Sequence, residues 1–206
     1  MILWGRASSV NVQKVLWALD ELDIDVEHKV VGGKYGGLDG PQFSALTPVR
    51  RVPVLQDGDL ALWESHTILR HLARQTGRLA TPMARVDMWM EFGSTTLQPP
   101  FVGIFWQRVR LRAGDQNPDV AAGHLAALSA SLNIMNSSLA DGRAYMAGAD
   151  FSMADIALGS LFYRIAELEP DMVNALAHVA QWHNRIAART GYQRHIAVSY
   201  DELKVN

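Results

Sequence analysis

Two short segments place hydroxyl, amide and carboxylate side chains where helices are predicted to begin. Ser9 and Asn11 follow the first apolar run, and Glu64 and Ser65 open a second helical pattern. Unpaired backbone N–H groups and the helix dipole make a helix N-terminus favourable for an anion. The two segments could therefore hold an anionic ligand, and the Glu64 carboxylate could also accept a hydrogen bond from a ligand ammonium.

The same residue types also suit a purely structural role. Asn11 and Ser65 are good N-cap residues, and Asn11 could cap a helix while Ser9 faces outward. Between these segments, Val52 and Pro53 open a predicted strand, where proline removes one ladder donor. A cis peptide is accessible mainly before proline. We therefore expect Val52–Pro53 to turn its backbone towards a ligand.

Several other chemistries are excluded by what the sequence lacks. The sequence has no G-x-S-x-G nucleophile elbow and no phosphate-binding G-x-x-x-x-G-K-[ST] loop. It also has no dinucleotide-binding G-x-G-x-x-G after a strand. Cysteine is absent, which removes thiol nucleophiles and disulfides. The pairs His66/His71 and His178/His183 are spaced by five residues, so neither pair shares a helix face. We expect no metal site.

The first third of the chain alternates between strand and helix patterns. Short apolar runs at 2–4, 26–31, 52–55 and 60–63 predict strands, and the last two flank an Asp-Gly turn typical of a hairpin. Apolar residues at helical spacing predict helices over 12–22 and from Ser65, with a helical turn at 41–46. The order βαβαββα predicts a mixed sheet covered by helices.

After residue 82 every long segment has a helical pattern, which predicts an all-helical bundle. The segment 83–112 is expected to kink at Pro99-Pro100, and further helices are predicted at 121–139, 152–167 and 173–186. Ser152 and Asp155 have the spacing of a capping box, with a structural role. We predict an α/β domain over 1–77, a linker over 78–82 and the helical domain over 83–206.

The composition is that of a globular protein and indicates neither a nucleic-acid partner nor a membrane-spanning segment. Of 206 residues, 49% are hydrophobic and 19% charged, which excludes a disordered chain. Nineteen Lys and Arg against 21 Asp and Glu give a net charge of −2 with no basic stripe, so we expect no nucleic-acid partner. No apolar run reaches membrane length, and we predict a cytoplasmic protein.

Taken together and in order, these motifs resemble the glutathione transferase superfamily, most closely its serine-type, theta-like bacterial members. The resemblance covers essentially the whole chain. It is carried by S-V-N at 9–11, G-G-K-Y-G-G at 32–37, T-P-V-R-R-V-P-V-L at 47–55, L-W-E-S-H-T-I-L at 62–69 and F-S-M-A-D-I-A at 151–157. It implies a thioredoxin-like N-terminal domain, a helical C-terminal domain and a homodimer.

The resemblance also implies a role for each candidate residue. Ser9 would face the sulfur of glutathione, with Asn11 as its helper or substitute. The backbone of Val52, before a cis Pro53, would pair with the cysteinyl part. Glu64 and Ser65 would hold the γ-glutamyl end, and Arg51 would neutralise the glycyl carboxylate.

The free energy needed to stabilise the thiolate is small. A free thiol has a pKa of about 8.5, and lowering it by about two units requires roughly 2.7 kcal/mol of preferential thiolate stabilisation. One hydroxyl hydrogen bond to an anion supplies roughly 1.5–3 kcal/mol, and a helix N-terminus adds roughly 0.3–1 kcal/mol. Since the chain has no cysteine, the nucleophile would be the thiolate of glutathione, acting as co-substrate.

A hydrophobic electrophile is expected between the two domains, against Phe101, Phe105, Trp106 and Arg110, although these aromatic residues equally suit a core. Two alternatives to conjugation remain open. One is another glutathione-dependent reaction, such as dehalogenation, peroxide reduction or isomerisation. The other is a non-catalytic glutathione-binding or interaction module, because Thr47 and Val49-Arg50 replace the common Asn-Pro-Asn-Gly of the family.

Overall fold

The computed structural model describes residues 1–205. Its strands are β1 (Ile2–Trp4), β2 (Glu27–Lys29), β3 (Val54–Asp57) and β4 (Leu60–Trp63). They form one mixed sheet in the order β2-β1-β3-β4, in which β1 is parallel to β2 and antiparallel to β3, and β3 and β4 form a hairpin. The predicted thioredoxin-like arrangement is confirmed.

Three helices belong to this sheet and seven follow it in the described part of the chain. The first three are α1 (Val10–Glu21), α2 (Pro41–Ser44) and α3 (Ser65–Thr76). The remaining helices are α4 (Met83–Phe92), α5 (Gln98–Phe105), α6 (Pro118–Ser138), α7 (Met153–Leu168), α8 (Pro170–Asn174), α9 (Ala177–Ala187) and α10 (Thr190–His195). The predicted helical C-terminal part is therefore confirmed.

Two strands are shorter than the apolar runs that predicted them. β2 covers three residues instead of 26–31, because it lies at the sheet edge and pairs only with the three residues of β1. β3 begins at Val54 instead of Val52. Pro53 has no N–H to offer to a ladder, and the Val52–Pro53 peptide is cis, as expected.

The predicted kink at Pro99-Pro100 is realised as a widened turn that precedes the prolines. A π-helical segment (Gly93–Leu97) joins α4 to α5, and both prolines lie in the first turn of α5. Proline is tolerated in a first turn because those N–H groups have no intrahelical partner. A second π-helical segment (Trp106–Arg110) ends the helix.

The predicted capping box at the start of α7 is present, and its carboxylate does more than cap. Asp155 accepts the Ser152 N–H at 3.0 Å, and it also accepts the Met146 N–H at 2.9 Å and the Trp182 indole N–H at 2.8 Å. Asp155 is fully buried, and burial raises the pKa of its carboxyl while these donors lower it. The carboxylate thus ties α7 to the preceding loop and to α9.

The sheet domain and the helical domain share a continuous core, with Trp17 of α1 at their junction. Trp17 is completely buried. Gly159 of α7 and Gly191 of α10 lie against it: a Cβ on Gly159 would be 3.1 Å from the indole ring, and one on Gly191 would be 2.6 Å from it. The two glycines therefore allow α7 and α10 to pack directly on Trp17.

Candidate functional site

The sheet register brings three separate parts of the chain to one edge. Trp4 is the last residue of β1 and pairs with Val54, the first residue of β3; Val54 in turn pairs with Trp63, the last residue of β4. Because these three residues lie in one row, the loop after β1, the residues before β3 and the start of α3 are neighbours in space.

The structure places six of the predicted ligand-binding residues around one opening at this edge. A recess of about 90 Å³ adjoins a cleft of about 560 Å³, since both are lined by Asn11, Arg51, Glu64 and Ser65. The recess is also lined by Val52 and Pro53. Ser9 lies two residues before Asn11 but does not line either space.

Ser9 rather than Asn11 is the N-cap of α1, contrary to the capping expectation. The Ser9 carbonyl accepts the N–H groups of Val12 and Gln13, both at 2.9 Å. The Ser9 side chain makes no capping hydrogen bond, so its half-buried hydroxyl remains available. Asn11 lies within the helix, and its Oδ1 atom accepts a hydrogen bond from Lys14 at 3.2 Å.

Ser65 is likewise not the cap of α3. It is the first residue of the helix, while Glu64 occupies the N-cap position with a φ of 68°. Such a left-handed conformation costs an L-residue about 1–3 kcal/mol. It leaves Glu64 exposed at the mouth of the recess and Ser65 almost buried behind it.

Lys14 is a buried charged residue at the cleft that the sequence did not single out. Its side chain is completely buried, and its ammonium contacts Asn11 Oδ1 at 3.2 Å, Ser65 Oγ at 3.2 Å and His66 Nε2 at 3.0 Å. Burial lowers the pKa of Lys14 to about 7, against a smaller opposing effect of Glu64. The one sequence signal was that Trp17 and Ala18 extend the apolar surface of α1 around this lysine.

His66, one of the histidines for which no metal-binding role is expected, is a buried residue of α3 that faces Lys14 of α1. Burial holds its pKa well below the usual range, and the charges of Lys14 and Arg70 lower it further. The imidazole is therefore neutral at neutral pH, so its Nε2 atom can accept the Lys14 hydrogen bond.

The residues expected around the electrophile divide into two groups. Phe101 and Phe105 are buried core residues whose ring centroids are 5.8 Å apart, and Phe105 also packs on Tyr200. Trp106 is 48% exposed, and the Arg110 guanidinium lies over its ring at 5.4 Å. Only the second group presents side chains that a ligand can reach.

Arg164 of the helical domain supports the loop after β1. It is 4% exposed and donates to the Ser8 carbonyl at 2.7 Å and to Gln13 Oε1 at 3.2 Å. Burial lowers the pKa of Arg164 to about 10, so it remains charged at neutral pH. The loop that carries Ser9 is thus held from both domains.

No helix within residues 1–205 is long and apolar enough to cross a bilayer. Within the same residues, no group of three His, Asp or Glu side chains has the geometry to hold a metal ion.

Comparisons with known proteins agree over nearly the whole chain. Residues 3–79 match the model for the glutathione S-transferase N-terminal domain, and residues 86–190 match that for the C-terminal domain. Glutathione S-transferase GstB of Escherichia coli is 32% identical over 171 residues, covering 79% of this chain and 82% of that protein. Glutathione S-transferase 4 of Zea mays is 32% identical over 197 residues, covering 91% and 87%.

Solved structures give the same result. The theta class glutathione S-transferase of Xanthomonas axonopodis pv. citri, with glutathione bound, superposes with a TM-score of 0.88 at 35% identity and covers 97% of this chain and 98% of that one. The resemblance of the motifs to the glutathione transferase superfamily is therefore confirmed. The chain belongs to the glutathione S-transferase family.

Proposed function

We propose that this glutathione S-transferase joins the thiolate of reduced glutathione to an electrophilic small molecule, with the Ser9 hydroxyl donating a hydrogen bond to the sulfur. The observation that carries the proposal is the shared edge formed by Trp4, Val54 and Trp63. The glutathione-bound Xanthomonas relative, similar over 97% of this chain, supports the choice of ligand.

The lining of the recess suggests one orientation for glutathione. The γ-glutamyl carboxylate would bind at Ser65 and its ammonium at Glu64, since these groups have complementary charge and hydrogen-bonding capacity. The backbone of Val52 before Pro53 would pair with the cysteinyl unit, and Arg51 would neutralise the glycyl carboxylate. The thiol would then point towards the start of α1.

The reaction requires little from the protein beyond stabilising an anion. The thiol proton passes to solvent, the sulfur forms a bond to carbon, and the leaving group departs. The N-terminus of α1 and the Ser9 hydroxyl would favour the thiolate over the thiol. The Asn11 side chain accepts a hydrogen bond from Lys14. We therefore assign the main role to Ser9 and an assisting role to Asn11.

The second substrate would lie against Trp106 and Arg110, the exposed members of the predicted electrophile pocket. We further propose that residues 1–77 form the glutathione-binding domain, 78–82 the linker and 83–206 the domain that selects the electrophile. A homodimer and a cytoplasmic location complete the proposal; sedimentation equilibrium tests the first and cell fractionation the second.

The decisive experiment compares Ser9→Ala with Ser8→Ala, which removes the adjacent hydroxyl. With a model aryl halide, Ser9→Ala is expected to lower kcat at least tenfold. It is also expected to raise the pKa of the thiol of bound glutathione, which is measured by the absorbance of the thiolate. Ser8→Ala is expected to retain the activity. Equal activity of Ser9→Ala, Asn11→Ala and the wild type would contradict the assigned roles.

The same titration separates conjugation from a non-catalytic module. A glutathione-binding module would bind the tripeptide without lowering the pKa of its thiol. Turnover of aryl halides, alkyl halides, peroxides and isomerisable substrates would distinguish among the possible glutathione-dependent reactions.

A further inference from the structure

Lys14 is a buried lysine whose hydrogen-bond partners include no carboxylate. Its partners are Asn11 Oδ1, Ser65 Oγ and His66 Nε2, and within residues 1–205 it forms no salt bridge. A buried ammonium without a partner of opposite charge destabilises a fold. Its position, 3.2 Å behind a serine that lines the cleft, points to a role in ligand binding.

The hydrogen-bond count around Lys14 differs between its two charge states. An ammonium has three N–H donors, which match the three partners as acceptors, so the Ser65 hydroxyl proton has only the long 3.5 Å contact to Asn11 Oδ1 to give up to a ligand. A neutral amine has two N–H donors and one lone pair, so one partner must donate to it instead. Asn11 Oδ1 cannot donate, which leaves His66 or the Ser65 hydroxyl for that contact.

The charged groups facing Lys14 leave its protonation open to a ligand. Glu64 favours the ammonium, and Arg51, Arg70 and Glu91 line the same cleft. His66 on α3 is neutral because burial holds its pKa low. A carboxylate arriving at Ser65 would add a negative charge beside a hydroxyl that lies 3.2 Å from Lys14 Nζ.

The other helices packed on α1 do not alter this balance. Arg164 of α7 donates hydrogen bonds to Ser8 and Gln13 and makes none to Lys14. On α10, Arg194 is bonded to Asp20, near the opposite end of α1.

We propose that Lys14 is a positioning residue that takes up a proton from solvent when a carboxylate binds at Ser65, and that its ammonium then leaves the Ser65 hydroxyl free to donate to that carboxylate. This inference rests on the proposed function, which places the γ-glutamyl carboxylate at Ser65.

The direction of the pH dependence follows from the charge states. In the free protein the pKa of Lys14 is about 7, and a bound carboxylate raises it because the ammonium is then paired. Ligand affinity is therefore highest below pH 7 and falls as the pH rises above it. Thiolate formation has the opposite trend, so the two effects are separable.

The test is calorimetric titration with S-methylglutathione, which has no thiol proton to release. Titrations at pH 7.5 in phosphate, HEPES and Tris give the number of protons taken up, because these buffers differ in ionisation enthalpy. The wild type is expected to take up about 0.8 proton per site, the fraction of Lys14 that is neutral at pH 7.5. Lys29→Met, a lysine substitution on β2, should leave this value unchanged.

Two substitutions assign the proton to Lys14. Lys14→Met should abolish the uptake and weaken binding at pH 6 at least fivefold. Lys14→Arg keeps a permanent charge, so it should show no uptake and an affinity that is constant between pH 6 and 9.

The outcomes distinguish the proposed function from the role of Lys14. If wild-type protein fails to bind S-methylglutathione, the proposed function is wrong. If it binds without proton uptake, or if uptake persists in Lys14→Arg, the role of Lys14 is wrong while the proposed function stands. If Lys14→Met does not fold, the comparison of the wild type with Lys14→Arg decides the assignment.

Discussion

Glu202 Oε2 lies 2.8 Å from Lys34 Nζ, and this ion pair joins the C-terminal turn Asp201–Leu203 to the glycine-rich loop after β2. The Lys34 ammonium lowers the pKa of the Glu202 carboxyl. The Tyr35 hydroxyl donates to the same carboxylate at 3.3 Å. These contacts therefore connect the C-terminal turn to the N-terminal domain.

Removing this contact should loosen the C-terminal turn without unfolding the protein. Exposed ion pairs add little to global stability and are screened by salt. We expect Glu202→Gln to accelerate hydrogen exchange of residues 199–205, with a Tm close to that of the wild type. High salt should reproduce the effect in the wild type. Glu27→Gln, which removes the exposed Lys29 pair on β2, is the control, and equal exchange in both variants would contradict the prediction.

The buried Lys14 should give the stability a pH dependence of defined sign. Its pKa is 10.5 in the unfolded chain and about 7 in the fold, so between these values the unfolded chain binds more protons. Stability from this site therefore rises with pH across that interval. The free-energy advantage of Lys14→Met over the wild type should fall by about 3 kcal/mol between pH 7 and 9.5. Urea unfolding measures this difference, and a constant value would contradict a neutral Lys14.

Asp155 should be among the most sensitive positions in the helical domain. Asp155→Ala leaves the Met146 N–H, the Ser152 N–H and the Trp182 indole N–H buried without an acceptor, which costs about 3–5 kcal/mol. Asp155→Asn should not rescue the stability, since its NH₂ group would face donors. Asp150→Ala, at an exposed position nearby, should change the free energy of unfolding by less than about 0.5 kcal/mol. A cost below about 1 kcal/mol for Asp155→Ala would refute this account.

The two groups of aromatic residues in and after α5 should respond differently to truncation. Phe101→Ala creates a core cavity and is expected to cost about 3–5 kcal/mol. Trp106→Ala removes an exposed ring, so the stability should change by less than about 0.5 kcal/mol, while KM for an aromatic electrophile rises and the Kd of S-methylglutathione is unchanged. An unchanged KM in Trp106→Ala would remove this residue from the second site.

Local patterns predicted most of the fold because they depend on neighbours in the sequence. The helical stripe of α1, the Asp-Gly hairpin and the Ser152–Asp155 box are each contained within about a dozen residues, and all three are present. The cap positions were wrong at Asn11 and Ser65, because backbone geometry moved the caps to Ser9 and Glu64.

The features that escaped prediction depend on contacts between distant residues. The Lys14–Ser65 contact joins positions 51 apart, and the Arg164–Ser8 contact joins positions 156 apart. The apolar residues Trp17 and Ala18 indicate at most that Lys14 is buried, and neither contact leaves a signal that names the partner residue. The π-helical segments were missed because a proline pair indicates only that a regular helix must change.

The packing of Gly159 and Gly191 on Trp17 has a consequence for how specificity can vary. Any residue larger than glycine at position 191 would place its Cβ 2.6 Å from the indole ring, so α10 would have to move away from α1. Exchange of side chains in and after α5 is therefore expected to change the choice of electrophile, whereas positions 159 and 191 are restricted in size by this packing.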